Sequence, residues 1–349
     1  MKAAVLKKFG EPLVWEEVPT PEPGPEEIRL QVMACGTDGT DLKMVQGFGY
    51  TPELPFIIGH EIAGVVDGLG GRVTDWRPGS RAIAYNFFPC GRCRFCLTQR
   101  EQICQNMAGV MGARVKHGGY AEYLCLPARQ VVPIPAHLSW PDAAVIPDAV
   151  ITALHGVDRA RLQLNETVLI FGVGGVGSSA IQIAKMRGAK VAAVDRSAEK
   201  VHRALAMGAD AAWNSAESDP VRCAREFSQG FGVDCVIDVV GVEQTMAAAI
   251  DALRPGGRLV VIGYTPEAYG LNGKRLAQNE LEIIGTRAGR LQDLIDSVKV
   301  VAEGRFKSIV TDLFPMEEVN QAMDSLRAGR ILGRAVLLTP AGLKSIEAQ

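Results

Sequence analysis

"TVLIFGVGGVG", residues 167–177, decides the fold. Its first half is a continuous apolar run of strand length, and its second half is Gly172-Val173-Gly174-Gly175-Val176-Gly177, which fits GxGxxG. The segment that follows, "SSAIQIAKMRG", has helical periodicity, so the glycines lie between a buried strand and a helix N-terminus. That context points to a dinucleotide site. The glycines allow a tight turn and a close backbone approach to a pyrophosphate, which free N–H groups and the helix dipole favour. About twenty residues on, the next strand "AKVAAVD" ends at Asp195, placed to accept hydrogen bonds from ribose hydroxyls. A carboxylate there repels a 2′-phosphate and favours NAD(H) over NADP(H), while the adjacent Arg196 offers a cation able to pair with such a phosphate.

Downstream the alternation continues with a helix at "AEKVHRALAMG", a strand at "VDCVIDVV", a helix at "VEQTMAAAIDAL" and a strand at "GGRLVVIGY". Strands alternating with helices make a doubly wound parallel α/β sheet. The last stretch, "LQDLIDSVKVVAEGRF", "MEEVNQAMDSLRAG" and "GRAVLLT", reads helix, helix, strand and either extends this sheet or returns to the first part of the chain. Upstream, to about residue 145, short apolar stretches broken by Pro and Gly describe an irregular, mostly antiparallel β domain.

The 349 residues suffice for two domains. With 37 Lys and Arg against 39 Asp and Glu, no basic face for nucleic acid or anionic lipid is implied, and the expected partners are small molecules. The N-terminus alternates polar and apolar residues without a signal-type core, and no run reaches membrane-spanning length, so a cytoplasmic location is expected. Four of the eight cysteines, Cys90, Cys93, Cys96 and Cys104, are spaced C-x2-C-x2-C-x7-C. In a reducing compartment this clustering favours a metal over disulfides, and four thiolates close a tetrahedral zinc shell with no position left for substrate. The loop has little apolar material, so this structural zinc is what would fold it.

The cysteine lobe, "GHE" at 59–61 and the nucleotide motif, in this order, resemble the zinc-containing medium-chain alcohol dehydrogenases. The likeness includes "MKAAVLKKFGEP" at the start, "GGYAEY" at 118–123 and "GRAVLL" at 333–338. It implies a GroES-like, mostly β catalytic domain from residues 1–149 and 288–349, a Rossmann domain at 150–287, an active site in the cleft between them, and a homodimer or homotetramer. It also implies a catalytic zinc or other divalent metal, with His60 as a ligand, Glu61 as the neighbouring acid and Asp148 as a further ligand. The first ligand depends on register, because "ACGTDGTDLKMVQG", 34–47, contains GTD twice. Laid on the family pattern without a gap, Cys35 takes an earlier, non-ligating place and Asp38 the ligand place. Thr40 then matches the hydroxyl that meets the substrate oxygen, Asp41 the acid behind the ligands, and Gly47 falls five residues after Leu42. Placing Cys35 as ligand requires a three-residue insertion.

One imidazole and two carboxylates keep the formal charge of the common Cys, His, Cys set but present hard oxygen donors. Zinc affinity should fall, tolerance for Mn, Co or Fe should rise, and the metal should be more Lewis acidic. The competing reading is that the acids are ordinary hydrogen-bonded groups and the metal is lost. Lys43 stands where the family often has a proton-relaying His, or is a plain surface lysine. Arg334 matches a basic position near the cofactor phosphates. His155 is balanced between packing and a place near the cofactor; His117, His137 and His202 read as structural. Segments 47–55 and 86–89 are expected pocket walls, partly aromatic. Three functions follow: an NAD(H)-dependent alcohol dehydrogenase acting on a secondary or cyclic alcohol, a metal-free C=C or carbonyl reductase, and a non-catalytic nucleotide-binding protein.

Overall fold

A computed structural model describes residues 1–347. The chain forms two compact units, one of Met1–Asp148 with the chain from Arg290 onward, the other of Ala149–Gly289. Among the described residues no helix is long and apolar enough to cross a membrane.

The second unit is built on six parallel strands in the spatial order Ala211–Asn214, Lys190–Asp195, Thr167–Phe171, Val233–Asp238, Leu253–Val261, Glu282–Gly285. Numbered along the unit this is 3-2-1-4-5-6, the doubly wound order whose reversal lies beside the first strand. Thr167–Phe171 is buried at four of its five positions, as expected of a run covered on both faces. Helices Gly175–Met186, Ala198–Ala206, Pro220–Phe227 and Glu243–Ala252 make the crossovers that parallel strands need. Leu169, Phe171, Val194, Val236 and Leu259 belong to the core cluster beneath them. The strand Ala211–Asn214, the helix Pro220–Phe227 and the edge strand Glu282–Gly285 were not legible in the periodicity. The two strands are four residues long and only partly buried, so neither carries a long apolar run.

In the first unit the strand Glu27–Thr37 is the axis. It pairs antiparallel with Glu61–Leu69, Tyr123–Pro127 and Arg334–Leu338. The end of the chain therefore returns to the first unit, where Arg334–Leu338 also pairs in parallel with Val310–Pro315. The registers Gly36↔Glu61 and Thr37↔Ala335 bring the ends of three strands from distant parts of the sequence to one edge.

Candidate active site

Asp38 follows the strand Glu27–Thr37 and caps the helix Gly39–Val45. Its carboxylate accepts the N–H groups of Thr40 (2.8 Å) and Asp41 (3.3 Å), and Asp41 Oδ2 accepts Asp38 N–H (3.0 Å), a reciprocal capping box. His60 immediately precedes the strand Glu61–Leu69. Asp148 lies in one turn of π-helix, Ile146–Val150, a local widening frequent at functional sites. The Asn86 amide donates to the Pro147 carbonyl (3.2 Å) within that turn.

These elements bring ligand atoms of Asp38, His60 and Asp148 within 4.8 Å of one another. His60 Nε2 is 3.9 Å from Asp38 Oδ1 and 4.0 Å from Asp148 Oδ2. Cys35 is elsewhere: it is fully buried within the strand, and a Cβ on either Gly59 or Gly119 would come within 3.0 Å of its Sγ. The gapless reading of the doubled GTD is thus the one whose residues the fold gathers.

Arg334, which the resemblance matches to a basic position near the cofactor phosphates, is engaged by acids of the first unit. Its guanidinium is buried, with Nε 3.0 Å from both Glu61 carboxylate oxygens and Nη2 2.6 Å from Glu61 Oε1. Nη2 also donates to Asp148 Oδ2 at 2.6 Å and lies 3.6 Å from Asp38 Oδ2. The physical reason is the sheet: Arg334 opens the last strand beside the edge where Glu61 emerges, and a buried cation pairs with the nearest acids. Room for Glu61 comes from Gly36 opposite, where a Cβ would lie 1.8 Å from Glu61 Oε2.

Asp38, Asp41, Glu61 and Asp148 are thus gathered around one guanidinium and one imidazole. Burial pushes the Glu61 carboxyl up to about 8; Arg334 opposes this, while Asp148 and Asp38 add to it. Burial disfavours charge on His60, yet Asp41, Asp38 and Asp148 raise its pKa well above the ordinary imidazole range. Burial likewise works against the Asp38 carboxylate, but Arg334, His60 and two backbone N–H groups hold its pKa below the usual value. The cluster favours additional positive charge, and with two carboxylate donors and an imidazole it fits a divalent cation. Thr40 Oγ1 donates to Asp38 Oδ2 (3.2 Å), placing a hydroxyl beside the cluster. Lys43 is half-buried on the same helix; burial lowers its pKa against the opposing pull of Asp38.

The cysteine lobe fits zinc independently. Cys93 Sγ lies 3.5 Å from Cys96 Sγ and 3.8 Å from Cys104 Sγ, and Cys90 Sγ lies 3.5 Å from Cys104 Sγ and 4.0 Å from Cys96 Sγ. A tetrahedron of thiolates about 2.3 Å from zinc has edges of about 3.8 Å. The Cys96 N–H, among others, holds the Cys93 thiol down to about 6, whereas burial and neighbouring thiols push Cys96 up to about 12. Between residues 90 and 104 only Gln102 and Cys104 are buried, so the lobe has almost no core of its own.

In the second unit Gly172 has φ +89°, a conformation that favours glycine, and a Cβ on Gly177 would lie 1.8 Å from the Gly172 carbonyl oxygen. Gly174 is the N-cap of the helix that begins at Gly175, and Val176 and Gly177 lie in its first turn. Asp195 Oδ2 accepts the Val173 N–H (2.8 Å) and Oδ1 the Ser197 N–H (3.1 Å), so this acid is fastened to the glycine loop. Arg196 is exposed.

Other expected positions fall outside these clusters. His155 is buried on the helix Ile151–Ala160. His117 Nδ1 accepts the Ile57 N–H (3.2 Å), His137 bonds the Ala302 carbonyl and His202 that of Ala198. Phe87 and Phe88, expected in a pocket wall, are buried in a strand paired with Gly109–Met111. Tyr120, which the sequence reading gives no role, joins the network through its hydroxyl, donating to Asp41 Oδ2 (2.9 Å), and Asn86, in the segment 86–89 expected as a pocket wall, holds the Pro147 carbonyl. The only sequence signal for Tyr120 was its place in "GGYAEY".

Together the two units define a nucleotide-binding oxidoreductase with two candidate metal centres. Residues 24–136 match the alcohol dehydrogenase GroES-like domain and residues 175–303 the zinc-binding dehydrogenase domain. An alcohol dehydrogenase of Geobacillus stearothermophilus is 35% identical, covering 97% of this chain and 99% of its own. An NAD-dependent alcohol dehydrogenase of Sulfolobus acidocaldarius is 33% identical over 97% of this chain and 99% of its own. A solved cobalt- and zinc-bound alcohol dehydrogenase from Pyrobaculum aerophilum superposes with a TM-score of 0.88 at 33% identity, covering 97% of this chain and 99% of that one. The chain belongs to the zinc-containing medium-chain alcohol dehydrogenase family.

Proposed function

We propose that the protein is an NAD(H)-dependent dehydrogenase interconverting a secondary or cyclic alcohol and its ketone, with a divalent metal held by Asp38, His60 and Asp148. The observation that carries this reading is the convergence of those three ligand atoms within 4.8 Å, beside the Thr40 hydroxyl. When bound, the metal supplies Lewis acidity toward the substrate oxygen and the nicotinamide supplies a hydride acceptor or donor. Thr40 Oγ1 would accept the proton of the substrate hydroxyl as it gives up its own hydrogen, the one now donated to Asp38, to the next acceptor. Lys43, three residues on and on the same helix face, passes that proton onward. The glycine loop holds the pyrophosphate and Asp195 the ribose, with its negative charge selecting NAD(H). The names of the relatives support alcohols and NAD as the substrate and cofactor classes.

A metal-free reductase is the second reading. It is favoured by one observation: Asp38 already caps a helix and Asp148 already accepts a hydrogen bond from Arg334, so both acids have protein partners. Metal content per chain, measured by elemental mass spectrometry on the protein and on Asp38→Asn, decides between them. Asn preserves the helix cap and removes the anionic donor. Two metals in the parent and one in the variant are expected; one in both would leave only the cysteine lobe loaded and overturn the metal-dependent reading.

A further inference from the structure

Behind His60 lies a second layer of contacts contributed by the "GGYAEY" segment. Tyr120 is fully buried, and its hydroxyl donates to Asp41 Oδ2 at 2.9 Å. The same oxygen accepts the Asp38 N–H at 3.0 Å. With Oδ2 engaged by two donors, the other oxygen of Asp41, Oδ1, is the one turned to the imidazole, 3.4 Å from His60 Nδ1. Both atoms are buried and have no tighter hydrogen-bond partner. A carboxylate facing Nδ1 selects the tautomer with the proton on that nitrogen. Nε2 is then left bare toward Asp38 and Asp148.

The backbone is matched in the same way. Gly119 N–H bonds the Gly59 carbonyl (2.8 Å) and Tyr120 N–H bonds the Ile58 carbonyl (3.1 Å), so the segment runs along the chain just before His60. Contact is close enough that a Cβ on Gly59 would lie 2.4 Å from the Tyr120 ring, and one on Gly118 would lie 2.1 Å from the Gly59 carbonyl oxygen. The ring therefore fixes where the His60 backbone stands, and the hydroxyl fixes the rotation of the acid that orients its imidazole.

We propose that Tyr120 is a positioning residue of the candidate metal centre, acting through Asp41 to hold His60 as the Nδ1–H tautomer with Nε2 presented to Asp38 and Asp148. This rests on the proposed metal site, but its test includes a measurement that needs no metal. Tyr120→Phe keeps the ring packed against Gly59 and deletes only the donor, so the fold is retained. Long-range 1H–15N spectra of the His60 imidazole in metal-free protein, recorded at a pH above its raised pKa so that the ring is neutral, should show one tautomer in the parent and a mixture in Tyr120→Phe. Cobalt(II) titration against a chelator should show affinity for the Asp38–His60–Asp148 site falling about tenfold or more, with an altered visible spectrum of the bound cobalt. Metal at the four-cysteine lobe, unaffected by the substitution, is the internal control. A variant that melts at lower temperature but keeps the parent tautomer, cobalt affinity and spectrum would show that Tyr120 only packs, and would overturn the proposal. Should the parent bind metal at the cysteine lobe alone, the metal-dependent function fails, and the tautomer measurement still decides the role of Tyr120.

Discussion

Asp38 shows how much one side chain can be asked to do. It follows a strand, caps a helix, accepts from Thr40 and stands 3.9 Å from His60 Nε2, so a substitution there must separate capping from charge. Asn makes that separation and Ala does not. Asp195 poses the same problem in the other unit, since both its oxygens are tied to backbone N–H groups. In Asp195→Asn the outline stays, one of the two backbone N–H groups loses its acceptor, and the charge that repels a 2′-phosphate goes. The kcat/KM for NADP+ relative to NAD+ should rise about tenfold, equivalent to about 1.4 kcal/mol; an unchanged ratio in steady-state kinetics would show that Asp195 does not select the cofactor. At this scale the sequence was partly readable. Spacing alone placed the glycines and Asp195, whereas the Arg334 partners depend on which strand lies beside Glu61, and nothing local to "GRAVLL" records that.

Among elements, the strand starts of the parallel sheet are tied by Asp234. Its Oδ2 accepts both the N–H and the hydroxyl of Thr167 (2.7 Å each), and its Oδ1 accepts Arg254 Nε (2.6 Å). Burial alone would raise this carboxyl, but the Thr167 and Arg254 donors outweigh it and lower its pKa. A carboxyl lower in the folded than in the unfolded chain contributes stability above its unfolded value, about 3.9, and loses it as pH falls through the folded one. Asp234→Asn should therefore cost about 1.5–3 kcal/mol near neutral pH, with the gap to the parent narrowing below about pH 4. Urea unfolding at a series of pH values checks this; a gap independent of pH would refute it. The helices and strands of this unit were legible wherever they were long and periodic. The strands Ala211–Asn214 and Glu282–Gly285 were not, because four partly exposed residues carry too little pattern to distinguish strand from loop.

Taken whole, the first unit is held together by residues far apart in sequence. Glu61 and Arg334 form a buried pair across 273 positions, and Asp148 joins them. Removing Arg334 leaves the Asp148 carboxylate and the Glu61 carboxyl without their buried donor, so Arg334→Met should destabilise the protein by about 3–5 kcal/mol, read by denaturant unfolding. Adding Glu61→Gln should recover part of that loss, and no recovery would mean that the pair is not the source of the cost. The sequence by itself determined the dinucleotide unit, its glycine loop and the four-cysteine lobe, because each is a local pattern whose ligands or hydrogen-bonding groups lie within a few dozen residues. The resemblance implied Asp38 beside His60 and the return of the last strand to the first unit, and tertiary structure alone decided what Arg334 and Tyr120 touch. Those outcomes turn on sheet order and strand register, which are set by burial of whole faces against one another, and a linear string does not encode which face meets which.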